Sequence, residues 1–467
     1  MTSRETTDSE LIDIAHYILS YAAFNKAAYE NSRLALFDFL GCGLKALDEE
    51  DCRRAIEPII PESRVVGGAR VPGTEYQFDP ATAAFAIGTM GRWLDFNDSW
   101  FGKGGGHPSD MWSALLAVGD YQCRRGDSIL MSKILENGIK AYEVMGLHLM
   151  DNEFGPFDYT APLKVAVSAS VCQMLGGGED EIIGAISQCW ADGQPLRIYR
   201  HPYTTWRKNW ASPDAAARGV WHAYRAIAGE AGYPAVLSTA GAGVLDAEQK
   251  GEPFQYPMSY KSYVMENILF KIFPAQFRAQ TAAEAILKIR PDVHAAINDI
   301  ERIQVFTTER AMRTVDKQGP LRTAAARDHS LQYILAVTLI HGRLDYDLYD
   351  DDVAADPRID LLRAKIVLTE REKYTKGFED PSIRTDATSI QVFFTNGEST
   401  GEVEILYPLG DPRRRYEAGP LLAQKFLRNI KGRLVHDSEI EVIRLFENPQ
   451  CLESMTASEF MDLWVQN

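Results

Sequence analysis

Between residues 95 and 107 the chain gathers two carboxylates, Asp95 and Asp98, the hydroxyl of Ser99 and the imidazole of His107. They are joined across Gly102-Lys103-Gly104-Gly105-Gly106, whose glycines accept unusual backbone angles. Elimination of water needs a base that takes a proton from carbon and an acid that protonates the departing hydroxyl. This segment can supply both. Taken alone, it reads equally well as an Asp-capped helix end followed by a histidine in a glycine-rich turn.

A second cluster, Arg197, Arg200, His201, Arg207 and Lys208, is interleaved with Tyr199, Tyr203, Trp206 and Trp210. Cations among aromatics suit carboxylate recognition in a partly desolvated pocket; a solvated basic loop has the same composition. In Asp328-His329-Ser330-Leu331-Gln332-Tyr333, spacing alone favours Asp328 as a helix N-cap and Tyr333 as a core residue. Arg413-Arg414-Arg415, after Tyr407-Pro408-Leu409-Gly410, reads as an anion site or as interdomain ion pairs. His16, His222, His294 and His436 have no sequence partners and read as structural. No HExxH, Walker, GxGxxG or GxSxG pattern occurs, which removes the usual support for metallohydrolase, kinase, dinucleotide and esterase chemistry.

These clusters need a large scaffold. The chain has 467 residues, 45% of them hydrophobic and 24% charged, which predicts an ordinary globular protein of about two domains. A formal net charge of -16 without a basic stripe argues against nucleic acid, so an anionic substrate needs a locally positive site. The six cysteines show no CxxC pair and no iron–sulfur or zinc spacing, and they read as small core residues of a reducing compartment. The first residues lack an apolar signal region and carry acids, and the longest apolar run, near 333–340, is too short to span a bilayer. The expectation is a cytoplasmic protein with no membrane partner.

The predicted elements are mostly helical. Leu11, Ile14, Ala15, Ile18, Leu19 and Ala22 recur at helical spacing, and segments 32–47, 81–90, 110–121, 163–175, 179–190 and 214–229 continue the pattern. After about residue 275, 302–307 alternates like a strand, while 389–394 and 402–406 flank Asn396-Gly397 as a hairpin. Helices are expected over 329–341 and 360–369, and again from about 418 to 465. The predicted fold is mostly α with a smaller α+β domain: a large helical-bundle domain over 1–275, a lid over 276–405, and C-terminal helices over 406–467 returning to the bundle.

Taken in order, the marks resemble the 2-methylcitrate dehydratase (MmgE/PrpD) family along essentially the whole chain. They are Arg92-Trp93-Leu94-Asp95-Phe96-Asn97-Asp98, Gly106-His107-Pro108-Ser109-Asp110, Tyr199-Arg200-His201, Arg207-Lys208, Ser259-Tyr260, Ser262 to Asn267, Asp328-His329 with Gln332-Tyr333, and Tyr407-Pro408-Leu409-Gly410 with its arginines. The resemblance implies a homodimer, a cleft between a helical domain and a lid, and no cofactor or metal. It implies dehydration of 2-methylcitrate, a tricarboxylate, or of a related alkylcitrate. Longer alkyl chains, decarboxylation of cis-aconitate, or a non-catalytic binding role are the alternatives. By position it implies a site of Asp95, Ser99, His107, Lys208, Lys271 and Tyr333. Asp95 and His107 form the expected acid/base pair, Lys208 and Arg200 hold carboxylates, and Tyr333 closes from the lid. His201, Gln276 and Arg414 are expected beside the substrate. Tyr159, Gln276 and Arg278 depart from residues typical of the family, and a shortened loop before Tyr159 suggests an apolar channel for a longer chain.

Overall fold

A computed structural model describes residues 7–200 and 204–465. The protein is mostly helical with a small mixed sheet. The helix Pro80–Trp93 lies at the centre of the larger body, packed between Lys26–Ala46, Trp112–Arg124 and Arg207–Ile227. Its small residues explain that position, because a Cβ at Gly91 would fall 2.0 Å from the Phe39 ring. The Asp79 carboxylate caps it by accepting from the Ala81 and Thr82 amides. A helix buried on so many sides fixes where its C-terminus emerges, and that end delivers Arg92 and Asp95.

Met131–Asp151, Thr160–Met174 and Glu179–Ala191 complete this body. Near the C-terminus, Arg415–Ile430 packs on Lys26–Ala46, Pro449–Ser454 on Met131–Asp151, and Ala457–Asp462 on Trp112–Arg124. Buried Lys425 anchors this return: its ammonium pairs with Asp38 at 2.7 Å and donates to the carbonyls of Phe96 (2.7 Å) and Lys271 (3.0 Å).

The sheet has the order Ile366–Glu370, Ile300–Thr307, Thr388–Phe394, Val403–Ile405. The first pair is parallel and the others antiparallel. Helix Gln280–Val293 covers it and also packs on Leu331–His341. The Asn-Gly turn is present, with Gly397 at φ +87° and its amide donating to Phe394. The helix expected over 360–369 is corrected: Pro357–Arg363 is helical, and Ile366–Glu370 is an edge strand. The β-branched residues Ile366, Val367 and Thr369 pair in register with Ile303, Gln304 and Phe306, so sheet pairing overrides the local helical pattern. Among the described residues, no helix is long and apolar enough to cross a membrane.

Candidate active site

The chain turns sharply after Trp93. Asp95 adopts φ +48°, a left-handed conformation uncommon outside glycine, and its amide donates to the Arg92 carbonyl. This turn folds the carboxylate back onto Arg92, whose Nη1 donates to Oδ1 at 2.7 Å. Lys271 reaches the same carboxylate at 2.5 Å and the Asp95 carbonyl at 2.7 Å. Lys208 lies 3.5 Å from Asp95 Oδ2 and 2.9 Å from Asp328 Oδ2. His329 places Nε2 3.6 Å from Asp95 and Nδ1 2.5 Å from Asp328. One carboxylate therefore gathers residues from three distant segments besides its neighbour Arg92.

His107 sits on the other side of Asp95. Its Nδ1 is 2.6 Å from the Asp98 carbonyl and 3.2 Å from Ser99 Oγ, and Nε2 is 3.0 Å from Arg92 Nη2. A carbonyl can only accept, so Nδ1 carries the proton and Nε2 keeps its lone pair. Burial, and then the charges of Arg92 and Lys271, hold the imidazolium form well below its usual range. His329 is likewise pushed down to about 4 by burial and by Lys208. Burial also brings Lys271 down to about 8, against the pull of Asp95. For Asp95, burial alone would favour the neutral acid. Arg92, Lys271 and Lys208 outweigh it and hold the carboxyl well below the usual range. At neutral pH the centre combines a fixed carboxylate, two neutral imidazoles and an ammonium close to releasing its proton.

Asp98 faces the opposite way. Its carboxylate accepts from the Ser109 amide at 3.0 Å and from Tyr142 Oη at 2.8 Å, and Tyr142 accepts from Trp112 Nε1 at 2.9 Å. Burial pushes it up to about 7, although these hydrogen bonds favour the ionised form. Asn97 joins Ser109 and Asp110 at 2.9 and 2.8 Å. This network braces the turn that presents His107.

The glycines of the loop do a different job from the one expected. None of residues 102–106 has positive φ; a Cβ at Gly102 would meet Met150 Cα at 2.3 Å, and one at Gly106 would meet the Tyr159 ring at 2.6 Å. Close approach requires them. Tyr159 packs its ring 5.9 Å from that of His107, bonds Ser212 at 2.9 Å, and lies under the Arg200 guanidinium at 4.6 Å.

Asp95, His107, Lys208 and Lys271 therefore converge, with Ser99 behind His107 bonding its Nδ1. Arg200 is tied to Asp158 at 2.5 Å and borders the centre through Tyr159. Other expectations meet different geometry. The Tyr333 hydroxyl donates to the Leu348 carbonyl at 2.8 Å and is not directed at Asp95. Arg414 spends its donors on Glu284, Glu417 and the Tyr407 carbonyl, an ion-pair role. The Gln276 side chain accepts from the Arg278 amide, and only its backbone touches the site, through the Asp328 carbonyl. His201 lies outside the described residues. Asp328 does not cap the helix Leu331–His341, because Ser330 does. Arg92, Asp328 and His329 were not among the expected site residues; the signals available were the three-residue spacing of Arg92 from Asp95 and the adjacency of Asp328 and His329.

Asp95, Asp328 and His329 offer ligand atoms within 4.8 Å of one another. Lys208, Lys271 and Arg92 already neutralise these carboxylates, and a cation there would have to displace them.

A two-part protein, helical body and small sheet, thus carries a buried acid/base centre at the end of its central helix. Family models of the MmgE/PrpD N-terminal and C-terminal domains match residues 12–257 and 273–448. The chain is 43% identical over 474 residues to 2-methylcitrate dehydratase of Salmonella typhimurium, covering 99% of this chain and 98% of that protein. It is 42% identical to 2-methylcitrate dehydratase of Cupriavidus necator, with the same coverage. It is 34% identical to a 2-methylcitrate dehydratase-like protein of Aspergillus oryzae, covering 97% and 94%. The chain belongs to the MmgE/PrpD family.

Proposed function

We propose that the protein is a hydro-lyase that removes water from 2-methylcitrate to give the corresponding alkyl-aconitate, without metal or cofactor. The observation that carries this is the neutral His107, its Nε2 lone pair held beside an ionised Asp95 that also gathers Lys208 and Lys271. His107 Nε2 exchanges the Arg92 donor it accepts from for the substrate C–H, and takes the proton from the carbon next to a carboxylate. The carbon–carbon double bond forms as the hydroxyl on the neighbouring carbon leaves, and Lys271 protonates it to water. Asp95 stays ionised and fixes both lysines, while Lys208 and Arg200 attract the substrate's carboxylates. The Tyr159 ring fills the space beside His107, which favours a methyl substituent over a long chain.

In this reading 1–275 with 406–467 is the helical body, and 276–405 is the lid that brings Asp328 and His329. The protein acts as a cytoplasmic homodimer; exposed Leu196, Ile198 and Trp221 offer apolar surface to a second copy. The net charge of -16 disfavours nucleic acid. The test is a product assay by mass spectrometry across 2-methylcitrate, citrate, longer alkylcitrates and cis-aconitate. Fastest water loss from 2-methylcitrate is expected. Preference for a longer chain would move the assignment to an alkylcitrate of secondary metabolism, and carbon dioxide from cis-aconitate would make it a decarboxylase.

A further inference from the structure

Away from the Asp95 centre, the sheet-bearing part has an open-mouthed cavity of about 880 Å³ bounded by 318–322, 327–333 and 351–366. None of the residues gathered around Asp95 lines it. Its wall holds Arg322, Arg327 and Arg363 with Asp351 and Asp360, so cations outnumber carboxylates there.

The arginines are incompletely satisfied. Arg327 is buried, with 7% of its side chain exposed; Nη1 bonds Asp351 (2.7 Å) and the Tyr349 carbonyl (2.6 Å), but Nε has no partner among the described residues. Arg363 pairs with Asp360 at 2.5 Å and with the Gly319 carbonyl at 2.9 Å, and its Nε is also buried and unpartnered. Gln332 is buried too, with Oε1 unpartnered. A buried donor left unpaired destabilises the site, so a ligand that supplies the missing acceptor is favoured there. Asp351 and Asp360 are 86% and 71% exposed, so an incoming anion can replace them on the buried Arg327 and half-buried Arg363 guanidinium groups while keeping those charges compensated. Leu321, Ala354, Ala364 and Ile366 add apolar wall.

We propose that this cavity is a second ligand site, which takes an organic anion bearing carboxylate or phosphoryl groups on the guanidinium groups of Arg322, Arg327 and Arg363. The planar, forked donors of arginine match either group. The site is independent of the dehydratase reading, since no residue assigned to catalysis forms it, and Tyr333 in its wall has its hydroxyl on the Leu348 carbonyl.

Isothermal titration calorimetry of the full chain with inorganic pyrophosphate, and separately with tricarballylate, tests it. At least one anion is expected to bind the wild type, and Arg322→Gln/Arg363→Gln should weaken that binding at least tenfold. Pyrophosphate binding alone would mark a phosphoryl site, and tricarballylate alone a carboxylate site. Tricarballylate also resembles the proposed substrate, so its isotherm counts only by the difference between wild type and variant. If the double variant melts early, Arg322→Gln gives the same reading, because Arg322 is exposed. Binding of neither anion, or binding indifferent to these substitutions, would overturn the proposal.

Discussion

Asp95 and Asp98 stand three residues apart, both fully buried, and their surroundings drive them in opposite directions. On one side of the turn Asp95 meets Arg92, Lys208 and Lys271 and is held ionised. On the other, Asp98 meets Tyr142, the Ser109 amide and, among the described residues, no paired cation, and burial carries it to about 7. The difference teaches that one short peptide builds a reactive face and a bracing face. Asp95 owes its role to Arg92 beside it and to Lys208 and Lys271, both more than a hundred residues away. The two faces meet at His107, whose Nδ1 is held by the Asp98 backbone while Nε2 looks toward Asp95.

The contrast breaks most completely at Lys208. Lys208→Met leaves Asp95 and Asp328 facing each other without their shared cation. An uncompensated buried charge costs on the order of 3–5 kcal/mol. Turnover should fall by about a thousandfold or more and the melting temperature should drop, read by steady-state assay and thermal melting. A fully active, equally stable variant would sink the network.

His107→Gln removes the base while retaining a polar side chain, and kcat should fall by roughly 10²–10⁴. In the wild type, activity should decline on the alkaline side near pH 8, as Lys271 loses the proton it donates. A rate–pH profile flat through that region would assign the proton to another group.

Asp98→Asn probes the bracing face, with a smaller effect on turnover, about tenfold or less. Its sign in stability is informative. The folded pKa, about 7, lies above the ordinary carboxylate value, so proton binding stabilises the fold fully below about pH 4. That contribution is lost as pH rises through 7. Asparagine has no proton to lose, so the variant should gain on the wild type in denaturant midpoint between pH 5 and 8. Smallest of all, Tyr333→Phe should cost about 1 kcal/mol for the bond to Leu348 and leave kcat within a few-fold.

The legible part of this protein was whatever lay close together in sequence. The helical periodicities, the Asn-Gly hairpin and the gathering of Asp95, Asp98, Ser99 and His107 in one short segment all read from local pattern. Asp328 and His329 did not, because a helix cap and an ion-pair partner look alike until Lys208 is placed beside them. Tyr333 and Arg414 show the converse. Each occupies a segment that borders the site or the junction, yet Leu348 captures the tyrosine hydroxyl and Glu284 with Glu417 captures the guanidinium. Sequence reports which residues are near; competition among partners decides where a side chain points. The strand Ile366–Glu370 was missed for a related reason, since an edge strand depends on its neighbour for existence.

The most direct test of the central claim is turnover of 2-methylcitrate, with a strong chelator present, by the wild type and His107→Gln side by side. The account predicts wild-type water loss to an unsaturated tricarboxylate, unchanged by the chelator and without carbon dioxide, and a variant at least a hundredfold slower. Turnover abolished by the chelator, release of carbon dioxide, or a variant as fast as the wild type would contradict it.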